Sequence, residues 1–276
     1  MGSFQSATAD IDNISQFSAL WCIQQVTDAL YRRRVQYIFP MTWDKQVEWQ
    51  ARFAQVADLP RVQGAIDCTQ VGLRAPHHHP EMFVNRKDFH SLNVQRMYDN
   101  QRQILTFDAR YPGSSHDSFI LRQTSMPAVF TCPNQNCGRL LGDKTYPLST
   151  WLLTRLWYPS TAPEHAYNAA HCATRCITEQ CIGTLKQRFL CLNRSGGTLQ
   201  YSPQRVSTIV MVCCMLVIMR GQPLAVKPAI PSEEEEEAQQ EEGHKEDPRC
   251  PRARRCCPYC IPGTEVQLCL IAARFR

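Results

Sequence analysis

The chain has 276 residues, 43% of them hydrophobic and 20% charged, with a net charge of +5. That is enough for one sizeable folded domain with appendages, and the apolar share excludes a wholly disordered protein. The charge is unevenly held: nine acids fall between Glu233 and Asp247 and one more at Glu265, which leaves residues 1–232 with 15 acids against 23 bases, a net of +8. A basic body with an acidic tail suits an anionic partner such as nucleic acid.

The opening MGSFQSATADIDN has no charged segment followed by an apolar one, so no secretory signal is expected. Gly2 and Ser6 fit the minimal myristoylation pattern, but Asp10 and Asp12 stand where a polybasic second anchor belongs. Residues 14–57 read as helical. Leu20, Ile23, Val26, Leu30 and Val35 fall near one face of a first helix, and Thr42, after Pro40, is placed to cap a second.

Three extended segments follow at 64–73, 89–98 and 104–109, the last two joined by the turn DNQRQ. YPGSSHDSFILRQTSM predicts a turn and a helix capped by Ser114 or Ser115. GRLLGDKTYP predicts a fourth short strand ending in Gly142-Asp143. A connection marked by Pro147, Pro159 and Pro163 leads to a long helix over 167–191 and a last apolar helix over 203–220. The most apolar run, 206–219, is shorter than the ~20 residues a membrane span needs, so it is read as a buried helix and no membrane partner is expected.

Strands in series followed by alternating helix, strand and helix predict an α/β fold with a mixed sheet flanked by helices. Three regions emerge: a helical region over 1–60, the α/β domain over 61–222, and a tail over 223–276. The tail is acidic, then rich in Cys and Arg, and is expected to be disordered. The 15 cysteines are read as free thiols, most of them small buried hydrophobes. Cys257 and Cys260 have CxxC spacing near Cys250 and Cys256, and Cys132 and Cys137 form another pair, but neither group supplies a full zinc set at conventional spacing.

Four acids fall at element junctions or inside apolar segments. Asp67 interrupts the first strand, Asp117 opens the helix after the third, Asp143 ends the fourth, and Glu179 lies midway along the long helix. Gathered together they would repel one another unless a hard cation, Mg²⁺ or Mn²⁺, bound between them. Each also has a local explanation. Asp67 can be satisfied by backbone N–H groups, Asp117 by the helix dipole, Asp143 by a turn, and Glu179 by Arg175 one helical turn earlier.

The blocks GAIDCT, VNRKDFHSLNVQ, PGSSHDSFIL, LLGDKTYPLSTWLLT, YNAAHCATRCITEQCIGTLKQRFLCL and LQYSPQRVSTIVMVCCML occur in order over roughly 26–216. In this they resemble the nucleases derived from PIF/Harbinger DDE transposases. The resemblance implies an RNase H-like fold, a divalent metal cofactor (Mg²⁺ or Mn²⁺) and DNA as substrate. It places the metal positions at Asp67, Asp117, Asp143 and Glu179, with Asp67, Asp143 and Glu179 catalytic. Asp67 would bridge two metal ions, Asp143 and Glu179 would each complete one shell, and Asp117 would be a further ligand or a supporting group. The metal, not a protein base, would activate the attacking water. Arg86 and Lys87 beside Asn85, and Lys186 and Arg188 two turns beyond Glu179, are candidate phosphate contacts. The resemblance further implies a Myb-like DNA-binding partner and residence in nucleus and cytoplasm.

The chain departs from that pattern at Gln70, where relatives tend to carry His, and at CCMLVIM, where they commonly read Cys-x-Leu-His-Asn. It also begins partway into the helical region that precedes the catalytic domain, and its tail has no counterpart. These departures motivate a second reading: a catalytically silent, domesticated transposase that binds nucleic acid or protein.

Overall fold

A computed structural model describes residues 14–34, 43–57, 59–131 and 138–219. The tail over 223–276, both cysteine groups weighed for zinc, the myristoylation pattern, Val35 and Thr42 lie outside the described residues.

The centre of the fold is a five-stranded mixed sheet in the order β3-β2-β1-β4-β5. Its strands are β1 (Val62–Gly72), β2 (Ser91–Tyr98), β3 (Ile104–Pro112), β4 (Arg139–Leu141) and β5 (Leu152–Leu153). β1, β2 and β3 form an antiparallel meander, while β4 and β5 run parallel to β1. The predicted turn between β2 and β3 is held by Asp99, whose Oδ1 accepts the backbone N–H groups of Gln101 and Gln103, both at 2.8 Å. The fourth strand is shorter than predicted and stops two residues before Asp143; the two-residue β5 has too little periodicity to be read from sequence.

Alternation along β1 divides its residues between two layers. Ile66 and Cys68 face a cluster containing Met97, Leu121, Phe130 and Leu140. This layer contains α3 (Asp117–Gln123) and α4 (Met126–Phe130). Val71 and Leu73 face the larger cluster, built with Val94, Tyr98, Cys181, Leu185 and the apolar face of α6 (Pro203–Met219). That second layer also holds α5 (Ala162–Arg188), and α2 (Trp43–Ala57) packs across the end of β1 through Phe53. The arrangement is the mixed α/β, RNase H-like architecture expected.

Two local expectations are corrected and a third is sharpened. α3 is capped by His116, whose Nδ1 accepts from Ser118 N at 3.3 Å, and not by Ser114 or Ser115. α5 begins five residues earlier than predicted, because Glu164 closes a capping box on Thr161 and Pro163 fits the first turn. Leu20, Ile23, Val26 and Leu30 of α1 (Gln16–Arg32) do share a face, but it lines an open groove of about 490 Å³ against α6, leaving Ile23 and Val26 exposed.

The cysteines described are free thiols. Cys181, Cys213 and Cys214 are buried as expected of small hydrophobes, whereas Cys22, Cys172 and Cys176 are exposed. No helix among the described residues is long and apolar enough to cross a membrane.

Gly113 closes the end of β3 against β2, its N–H donating to Ser91 O at 2.8 Å. A Cβ there would press on Ser91 Oγ and lie 2.6 Å from the Phe83 carbonyl oxygen, a backbone atom that cannot swing aside. Gly113→Ala is therefore expected to cost about 2 kcal/mol in urea denaturation, and a change under about 0.5 kcal/mol would contradict this packing.

Candidate metal centre

Asp67 sits in the middle of β1 on the face that looks toward α5. The parallel register pairs Ala65 with Leu141, so continuing each strand by two residues brings Asp143 level with Asp67. α5 lies over this point and supplies both Arg175 and Glu179 from successive turns of one face.

The convergence is organised by Arg175. Its Nη2 donates to Asp67 Oδ2 at 2.9 Å and its Nη1 to Glu179 Oε1 at 2.5 Å, while Nη1 stands 3.9 Å from Asp143 Oδ1. Two carboxylate oxygens are also tied to the backbone. Cys68 N donates to Asp67 Oδ1 at 2.9 Å, and Lys144 N donates to Asp143 Oδ1 at 2.6 Å within the turn that Tyr146 N closes on Asp143 O. Each local explanation available from sequence for Asp67, Asp143 and Glu179 is thus present, and the three acids still meet at one cation.

Burial pushes the Asp67 carboxyl up to about 7, with Asp143 and Asp117 adding to the rise and Arg175 opposing it. Burial disfavours the charged guanidinium of Arg175, but Asp67, Asp143 and Glu179 together hold it above the usual arginine range.

Asp117 is placed differently. It opens α3, and its Oδ1 accepts from Asn93 Nδ2 at 2.7 Å while its Oδ2 accepts from Thr145 Oγ1 at 3.4 Å. Asn93 pairs with Gln70 across β1 and β2, on the face opposite Asp67. Gln70 shares that face. Its Oε1 accepts from Ser91 Oγ at 2.7 Å, and its amide donates to Gly113 O at 3.4 Å. The structure therefore gathers Asp67, Asp143 and Glu179 on Arg175 and leaves Asp117 across the sheet, linked to the others through the loop that carries Thr145.

Of the four basic candidates, Lys186 and Arg188 occupy the last turn of α5, about 10 and 14 Å along its axis from Glu179. Arg86 and Lys87 lie in the turn before β2, which Asn85 holds through Lys87 N and Ser91 Oγ, both at 2.9 Å. This turn is at the far end of β1 from Asp143, about 16 Å or more from Asp67. Sequence reasoning missed the wider role of Arg175. Its spacing from Glu179 was visible, but its bond to Asp67, 108 residues away, was not.

All three gathered acids offer oxygen, with no His or Cys among them, a donor chemistry that suits Mg²⁺ or Mn²⁺. As the side chains stand, no three acids, histidines or cysteines among the described residues are spaced to hold a metal ion.

Because folded Asp67 keeps a proton that the unfolded chain gives up near pH 4, this residue makes stability fall as pH rises from about 4 through about 7. Metal-free protein is expected to lose stability on the order of a few kcal/mol across that window relative to Asp67→Asn, measured by denaturant unfolding at each pH. Parallel pH profiles for the two proteins would contradict the burial assigned to Asp67.

Residues 66–217 match the family model described as DDE superfamily endonuclease. The chain is 39% identical over 216 residues to the Homo sapiens protein named "Putative nuclease HARBI1", covering 78% of this chain and 62% of that one. The Xenopus laevis protein of the same name is 36% identical over the same shares. "Protein ALP1-like" of Arabidopsis thaliana is 25% identical over 197 residues, covering 65% of this chain and 48% of that protein. The chain thus spans about 62% of the length of the HARBI1 relatives it matches. No solved structure matches it. With its matched segment running from the residue before Asp67 almost to the end of α6, the chain belongs to the DDE superfamily endonucleases, and its likeness is to the Harbinger transposase-derived nucleases.

Proposed function

We propose that the protein is a divalent-metal-dependent nuclease that hydrolyses DNA phosphodiester bonds, acting in nucleus and cytoplasm with a Myb-like partner that brings it to DNA. The observation that carries this reading is the meeting of Asp67, Asp143 and Glu179 at one cation, from a strand, the turn after its neighbour and a crossing helix. The basic body supports a polyanionic substrate.

In this reading Asp67, Asp143 and Glu179 hold Mg²⁺ or Mn²⁺. A bound divalent cation supplies activation of the attacking water and neutralisation of charge on the scissile phosphate. The protein's part is to fix the carboxylates. Asp67 is immobilised by the β1 ladder and by Cys68 N, Asp143 by its turn, and Glu179 by a helix clamped at its N-terminal end. Asp117 supports the Asp143 loop through Thr145. Lys186 and Arg188 contact backbone phosphates away from the cleaved bond.

One observation favours the silent binding protein instead: the centre among the acids is held by Arg175. Plasmid nicking separates the two readings. Purified protein should nick supercoiled DNA only with Mg²⁺ or Mn²⁺, and Asp143→Ala and Glu179→Ala should each lower the rate at least about a hundredfold. Full activity in either variant would mean that the wrong carboxylates were chosen. Absence of metal-dependent nicking in the unaltered protein, with its partner supplied, would favour the silent reading.

A further inference from the structure

We infer that Arg175 is a built-in cation that holds the three acids together in the resting protein and is exchanged for the divalent ion when the site loads. This rests on the metal-dependent reading above and adds to it a mode of loading.

Asp67 Oδ1 and Asp143 Oδ1 are engaged by the backbone N–H groups that follow them. Asp67 Oδ2 and Glu179 Oε1 are turned to Arg175, and Asp143 Oδ1 stands 3.9 Å from it. A metal ion at this centre would need those same oxygens, so the guanidinium and the ion compete for them.

A planar guanidinium with N–H groups between it and each oxygen is broader than Mg²⁺, whose oxygen ligands stand at about 2.0–2.1 Å. Carboxylates spread around such a group are too far apart to share one ion. That accounts for a site rich in acids in which no three of them have metal-ligand spacing among the described residues.

The hold on Arg175 is incomplete. Its Nε is buried and has no hydrogen-bond partner, so the side chain is incompletely satisfied where it lies. Its i,i+4 partner Glu179 is 46% exposed, which leaves the solvent side of the cluster open to an entering ion. A clamp serving stability alone would be expected to satisfy the buried Nε as well.

The test is calorimetric titration of Mn²⁺ into the unaltered protein, Arg175→Gln and Arg175→Lys, paired with thermal melts with and without metal. Arg175→Gln should bind Mn²⁺ at least about tenfold more tightly. Its melting temperature should fall below that of the unaltered protein without metal and recover when Mn²⁺ saturates. A purely structural arginine would leave the deficit unchanged by metal. Equal or weaker Mn²⁺ binding in Arg175→Gln overturns the exchange and leaves the metal reading standing, whereas no binding in either protein overturns both. If Arg175→Gln does not fold without metal, Arg175→Lys, which keeps the charge but loses the forked donors, carries the comparison. It should bind Mn²⁺ more tightly than the unaltered protein, and unchanged affinity would overturn the exchange.

Discussion

The bond between Arg175 and Asp67 joins the two elements on which the rest of the site depends. β1 is the central strand, and a carboxylate in its middle cannot be left alone under a helix without a large desolvation cost. α5 crosses above it and brings the Arg175 guanidinium, which reaches Asp67, Glu179 and the edge of Asp143. Removing Arg175 leaves Asp67 buried without this partner, and breaking such a buried pair costs about 3–5 kcal/mol. The pair therefore constrains both where α5 lies and which oxygens face the centre.

α5 is held there by polar contacts more than by an apolar stripe. Tyr167 Oη donates to Thr154 O at 2.9 Å, Asn168 brackets the backbone of Leu156, and His171 Nε2 meets Leu153 O at 3.1 Å. The buried face then continues through Thr174, Thr178, Cys181 and Leu185. Its first half is polar and its second apolar, which suits a helix that begins over a short edge strand and ends over the main core.

The same composition explains what could and could not be read from the residues. The meander β1-β2-β3 was legible, because its strands are long, alternate in burial partners and are joined by a turn that Asp99 holds. The start of α5 was not, because Pro163, read as the end of the connection, instead fits the first turn of the helix behind the Thr161 cap. The shared apolar face of α1 was legible from its helical spacing, but not that several of its residues overlook the groove beside α6. Within the site, Asp67, Asp143 and Glu179 stood out because each sits where its element would otherwise exclude or ignore an acid. Asp117 stood out equally, yet strand alternation sends its partner Asn93 to the other face, a consequence of register that cannot be known before β1 and β2 are paired. Gln70 belongs to that face too, so its departure from the family's usual His falls in a hydrogen-bond network with Ser91 and Gly113 and not beside Asp67.

The central claim is that three carboxylates share one cation position, held by Arg175 at rest and by a divalent ion when loaded. Anomalous scattering from crystals grown with Mn²⁺ tests it most directly. The account predicts a manganese peak bounded by Asp67, Asp143 and Glu179, with the Arg175 guanidinium moved out of contact with Asp67 Oδ2. A peak elsewhere, or one among the three acids with Arg175 still bonded to Asp67, would contradict it.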